Sequence, residues 1–171
     1  MKIIEKIKLI EIEWQGPFKE LSKFDKMTDF GLYQIYGTHS IFGPDSLLYI
    51  GKAAQQYLST RYNQHTGWLT KEHSALTFYI GRFGGIEEYP SDTDWTSEID
   101  IAEKLLIYYC SPPYNSQYIV DYGIDNTKER TVILNFGFRH RLPFEVSNLS
   151  KESEWGKSEW KNYSYREIKR I

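Results

Sequence analysis

Residues 31–52 read GLYQIYGTHSIFGPDSLLYIGK, and two glycine-tyrosine stretches within them decide how the rest of the chain is read. In Gly31-Leu32-Tyr33-Gln34-Ile35-Tyr36 a glycine opens a run of aromatic and β-branched residues, which is strand composition. Tyr49-Ile50-Gly51-Lys52 is the end of a second strand with a glycine exit. Side chains alternate along a strand, so two neighbouring strands of this kind can aim two tyrosines at one face. The glycine after Ile50 permits a sharp turn into the segment that follows. Read alone, these stretches are explained by core packing, because short Tyr/Gly strands are common.

Working outward, the connection over 37–46 carries Gly43-Pro44-Asp45 and is predicted to be a loop. Residues 53–67 favour a helix in which Tyr57, Arg61 and His65 follow at intervals of four and share a face; Gly67 is its stop. An isolated Arg-His pair of this kind is usually a solvated helix face. Residues 75–82 form a strand closed by Gly84-Gly85, and 86–94 are predicted as an exposed acidic loop. A second helix begins at Thr96, carries the apolar stripe Ile99, Ala102, Leu105 and Leu106, and ends at Pro112-Pro113. Glu103 lies on that helix and Asn115 just beyond it.

Upstream, residues 2–14 read as a strand whose apolar phase slips between Leu9 and Ile10, suggesting a bulge, with Gly16-Pro17 as its end. Residues 18–27 are either a short helix or irregular. Downstream, residues 131–146 contain a strand around 132–136, a turn and a second short run; the polar tail from Ser150 has Trp155 and Trp160 as anchors. The expected architecture is α+β: a small central antiparallel sheet flanked by helices, with extra strands at both ends.

Composition sets the outer bounds. The chain has 171 residues, 40% of them hydrophobic, enough for one compact core and hardly for two. A formal net charge of −2 argues against bulk nucleic-acid affinity and leaves room for a local basic groove. Charge is uneven: from Lys128 onward ten basic residues stand against six acidic ones. A single cysteine, Cys110, permits no internal disulfide and suits a reducing compartment. The N-terminus is too densely charged for a signal peptide, and no run of about 18 apolar residues occurs, so the expectation is a cytoplasmic protein without a membrane span. His39, His73 and His140 show no ligand spacing with each other or with Cys110, which argues against zinc. Arg139-His140-Arg141 is either a phosphate contact or a solvated turn.

Taken in order, Gly31-Leu32-Tyr33, Tyr49-Ile50-Gly51, Arg61, His65, Glu103 and Asn115 resemble the GIY-YIG nuclease family. The first motif has Leu in place of the middle Ile, and the second matches literally. The resemblance covers 31–115, about half the chain, and the His one turn after the Arg is closer to the restriction-endonuclease branch than to the repair branch. One departure is that Tyr33 and Tyr49 stand sixteen positions apart, longer than the family's usual hairpin, so that 38–46 look like an inserted loop. The resemblance implies one domain over 1–171 with a catalytic core at 31–115, and with 1–30 and 116–171 as elaborations where specificity would reside.

It also implies a chemistry. Phosphodiester hydrolysis needs an aimed, deprotonated water, neutralised phosphate charge and a stabilised leaving oxygen. Glu103 would hold Mg²⁺, with Mn²⁺ as a substitute, because a single carboxylate plus waters suits that ion. Arg61 would clamp the non-bridging oxygens. Tyr33 would activate water, and an ordinary tyrosine needs a nearby cation to lower its pKa from about 10; Lys52, Arg61 or His65 is the candidate. His65 is the alternative base. Tyr49 would orient water or bind phosphate, Gly31 and Gly51 support the site, and Asn115 braces the Glu103 helix or the motif strands. The expected substrate is DNA, cut by a monomer or, in a restriction setting, a homodimer. The alternative is a nucleic-acid-binding or partner-dependent module that does not cleave.

Overall fold

A computed structural model describes residues 7–19, 31–54, 58–64, 67, 75–84, 92–121, 123 and 130–149. Their elements, in chain order, are β1 (Ile7–Phe18), β2 (Gly31–His39), β3 (Gly43–Ala53), α1 (Leu58–Gln64), β4 (Thr77–Gly84), α2 (Asp92–Cys110), β5 (Arg130–Gly137) and β6 (Glu145–Ser147). All six strands belong to one sheet in the order β3-β2-β4-β1-β5-β6. The class is mixed α+β, and the described residues hold little helix: the long α2 and the seven-residue α1.

The antiparallel expectation holds for every pair but one. β1 runs parallel to β5, with Ile10 opposite Ile133 and Trp14 opposite Gly137. An antiparallel pair can close through a tight turn, whereas a parallel one needs a long crossover; here α2 lies between the two strands in sequence. The strands at both ends of the chain are therefore structural members of the sheet, and β1 sits inside it between β4 and β5.

β1 also differs in detail. Ile10, Ile12 and Trp14 are buried in strict alternation, while Ile7 and Leu9 are half exposed on the opposite face. The apparent phase slip is thus a strand carrying apolar residues on both faces, and no bulge occurs there. The irregularity falls later, between Gln15 and Phe18, and the strand continues through a cis Gly16–Pro17 bond.

The larger correction concerns the hairpin. Residues 38–46 are not an inserted loop: β2 runs to His39, β3 begins at Gly43, and only three residues turn between them. Pro44 made the segment look like a loop because proline cannot donate to a ladder. β3 is the outermost strand, the position in a sheet where proline is tolerated. At its other end β3 runs to Ala53, paired with Gly31; of the 53–67 helix expected, Ala53 belongs to the strand, 58–64 are helical as α1, and 55–57, 65 and 66 lie outside the described residues.

α2 begins at Asp92, so part of the stretch predicted as an acidic loop is its first turn; no apolar period marks the helix before Ile99. It ends at Cys110, where Ser111 adopts a left-handed φ of 45° and donates its N–H to the Ile107 carbonyl at 2.8 Å, just before Pro112-Pro113. Ile99, Ala102, Leu105 and Leu106 are all buried against Ile10, Ile12, Trp14, Leu32, Ile50 and Ile133. A smaller cluster (Tyr33, Ile35, Ala53, Phe78, Ile80) occupies the opposite face and takes Leu58 from α1. Each fully buried aliphatic or aromatic side chain contributes roughly 1.5–3 kcal/mol.

Two polar side chains inside this core, Trp14 and Asn135, are paired across the sheet. Trp14 Nε1 donates to Asn135 Oδ1 at 2.9 Å, and Asn135 Nδ2 donates to the Pro143 carbonyl at 2.9 Å. β1, β5 and the turn before β6 are thereby held to one register.

Candidate active site

The first glycine of the hairpin has a steric reason. Gly31 adopts a φ of 147°, and a Cβ built there would collide with the Gly81 carbonyl oxygen of β4. The second, Gly51, is needed for space. A Cβ there would lie 2.5 Å from both Cζ and Oη of Tyr33 and 2.7 Å from Cε1 of Tyr49. Gly51 is the Cα partner of Tyr33, so its bare backbone is the floor over which the Tyr33 ring lies. The two rings stand 6.0 Å apart at 32°, with their hydroxyls hydrogen-bonded to one another.

Tyr33 is completely buried. Desolvation pushes its hydroxyl well above the ordinary phenol range, Tyr49 adds to that, and the Arg61 charge opposes it without prevailing. The lowering expected from a neighbouring cation does not occur in the protein by itself. Tyr49 is raised for the same first reason, with Glu103 adding to it and Arg61 opposing.

α1 delivers Arg61 to the end of β3. Its Nε donates to the Lys52 carbonyl at 3.1 Å, and Nη1 donates to Gln64 Oε1 at 2.7 Å. From the other face of the sheet α2 delivers Glu103, only 7% exposed, whose Oε2 accepts Lys52 Nζ at 3.0 Å. Lys52 also pairs with Asp100, which in turn holds Lys104 at 2.6 Å. Burial raises Glu103 above the usual carboxylate value although Lys52 pulls the other way. Burial also works against the Lys52 charge, but Asp100 and Glu103 outweigh it and hold the ammonium above its ordinary value.

Asn115 occupies the outer edge of β3. Its Oδ1 accepts the Ile50 N–H at 3.0 Å and its Nδ2 donates to the Ile50 carbonyl at 2.8 Å. Next to it the Tyr114 N–H donates to the Leu48 carbonyl at 3.0 Å. Residues 114 and 115 therefore imitate one more strand along an edge that would otherwise expose these groups. Of the two bracing roles expected for Asn115, the one on the motif strand is observed.

Tyr49, Lys52, Arg61, Glu103 and Asn115 line one cavity of about 310 Å³, with Tyr114 and Tyr118 in its wall. Tyr33, its ring 6.0 Å from that of Tyr49, does not itself line the cavity. His65 lies outside the described residues, as do His73 and the two tail tryptophans. Sequence reading missed Asp100 and Lys104. Their spacing to Glu103 and to each other was visible, but only the fold shows that Lys52 meets the same helix face.

Among the described residues, no three His, Cys, Asp or Glu side chains gather as a ready-made metal cage. The donor set at the cavity is one buried carboxylate among water-accessible polar groups, which fits Mg²⁺ retaining most of its hydration shell. The other polar turn singled out in the sequence is engaged internally. Asp45 accepts His140 Nε2 at 2.9 Å and Arg141 Nη2 at 3.1 Å, and Arg139 bonds to the Leu142 carbonyl. Among the described residues no helix is long and apolar enough to cross a membrane. No protein-family model, no curated protein and no solved structure matches the chain.

Proposed function

We propose that the chain is a GIY-YIG-like, divalent-metal-dependent endonuclease that hydrolyses phosphodiester bonds in DNA. The observation that carries the reading is the convergence of Tyr49, Lys52, Arg61, Glu103 and Asn115, from four separate segments, on one cavity. Core packing accounts for the tyrosines alone. It gives no reason for a buried carboxylate and two cations to open onto the same space.

Each residue has a task that its surroundings suit. Glu103 would hold Mg²⁺, or Mn²⁺ in its place, which supplies charge neutralisation at the phosphate and the leaving oxygen. Arg61, tethered through Nε to the Lys52 carbonyl, offers a guanidinium edge to the non-bridging oxygens. Lys52 compensates Glu103 and Asp100 and is free to shift its balance toward Asp100 when a further cation reaches Glu103. Tyr49 faces the cavity and positions the water. Tyr33 would act as the base only as its phenolate, its own proton passing to solvent by way of Tyr49 once added positive charge offsets its burial, and the phenolate then taking the water's proton by the same route. His65 is the other residue proposed for that step.

The second reading, a binding module without cleavage, is favoured by one observation: Lys52 already neutralises the only cavity carboxylate among the described residues. Supercoiled plasmid separates the two. An endonuclease nicks it with Mg²⁺ and not with EDTA; a module without cleavage retards it and leaves it supercoiled in both.

A further inference from the structure

The tip of the β2–β3 hairpin exposes large apolar side chains: Ile41 is 80% and Phe42 64% exposed. The turn is nonetheless well defined. His39 Nδ1 accepts the N–H groups of both Ile41 and Phe42, each at 3.3 Å, which fixes the ring. The His39 ring stacks on Phe42 at 4.8 Å and 22°, and meets Tyr114 edge-on at 6.0 Å. Tyr114 is part of the cavity wall. Three rings thus run without interruption from the hairpin tip to the mouth of the candidate active site. Asp45, just past the turn, ties the tip end of the hairpin to His140 and Arg141, so the rings stand on a braced support.

We propose that Phe42, His39 and Tyr114 form a stacking platform for an unpaired nucleobase of the strand whose phosphate enters the cavity. The proposal rests on the nuclease reading and adds a substrate class: single strands, flaps or junctions in preference to intact duplex. An aromatic face attracts any base by stacking, but only a base whose own face is open can use it. In a duplex those faces are closed by neighbouring pairs. A platform fixed before binding also loses little conformational freedom when it is used.

The test uses the full chain in EDTA, so that cutting is suppressed. A short fluorescent DNA single strand carrying 2-aminopurine is compared with the same strand in duplex. The expected result is tighter binding of the single strand with 2-aminopurine quenching. Phe42→Ala should weaken single-strand binding about tenfold and remove the quenching, in line with the loss of one stacked base. Phe42→Trp should restore both. Phe42 is exposed, so neither change removes a core residue. Unchanged affinity and quenching in Phe42→Ala would overturn the platform. So would equal binding of single strand and duplex without quenching, which would return the patch to a protein contact. If the wild type nicks plasmid in Mg²⁺ and either of these results holds, the platform alone falls; if it neither nicks nor binds nucleic acid, the nuclease reading falls with it.

Discussion

Glu103, beside one end of the β2–β3 hairpin, and Asp45, near the other, are shifted in opposite directions. At the Gly31–Gly51 end, Tyr33 and Glu103 are buried, and desolvation raises both hydroxyl and carboxyl. At the tip end, Asp45 is half exposed and accepts from His140 and Arg141, which hold it below the usual carboxylate value despite some desolvation. Tyrosines stand at both ends: Tyr36, near the tip, donates to Gln34 Oε1 at 2.6 Å and packs edge-on against the His140 ring at 4.5 Å. For these two carboxyls the surroundings, more than residue type, set the direction of the shift, whereas Tyr36 is buried like Tyr33 and is raised for the same reason. The site end holds the Glu103 carboxyl under a desolvation penalty that Lys52 offsets only in part. The tip end holds an exposed ion pair that anchors a turn.

The comparison can be broken most sharply at Glu103. Glu103→Ala should reduce metal-dependent cleavage by on the order of 10³-fold, while Asp45→Asn leaves the rate within about threefold; single-turnover gel assays read both. Asn115→Ala leaves the Ile50 N–H and C=O without their partners at the sheet edge, and should cost about 2–4 kcal/mol in urea denaturation. Gly51→Ala forces Tyr33 and Tyr49 apart, with an expected loss of about 1–3 kcal/mol and a fall in cleavage measured on the same preparation. Asp45→Asn should cost less than about 1 kcal/mol, since the pair is exposed and screened.

The pH dependence of the two ends should carry opposite signs. Asp45 is lowered from 3.8, so its contribution is present above that value and is lost as pH falls through the folded one. Glu103 is raised from 4.5, so folding favours its neutral form, and its contribution is lost as pH rises through the folded value. Denaturation of Asp45→Asn and Glu103→Gln against wild type between about pH 3 and 7 checks this. The Asp45→Asn deficit should shrink toward acid, and the wild-type advantage over Glu103→Gln should shrink toward neutrality. Parallel trends would erase the distinction between the ends.

Much of the site was legible because its residues carry local reasons. Gly31 and Gly51 clear specific atoms, Arg61 sits on a short helix behind the second strand, and Pro112-Pro113 stops α2 just where Asn115 can reach the β3 edge. What was not legible depends on neighbours distant in sequence. Gly43-Pro44-Asp45 reads as a loop unless one knows that β3 is outermost. The parallel β1–β5 pair has no local signature, since both strands alternate as antiparallel ones do. The Lys52–Asp100–Lys104 network needs two elements 48 residues apart to meet. The direction of the Tyr33 shift follows from complete burial, which a motif cannot state.

The central claim is that Tyr33, Tyr49, Arg61 and Glu103 form one hydrolytic centre. Single-turnover cleavage of supercoiled plasmid by wild type, Glu103→Ala, Arg61→Ala and Tyr33→Phe, in Mg²⁺ and in EDTA, tests it most directly. The expected result is metal-dependent nicking by the wild type, abolished in Glu103→Ala and strongly reduced in the other two. Absence of nicking by the folded wild type, or nicking that survives Glu103→Ala undiminished, would contradict it.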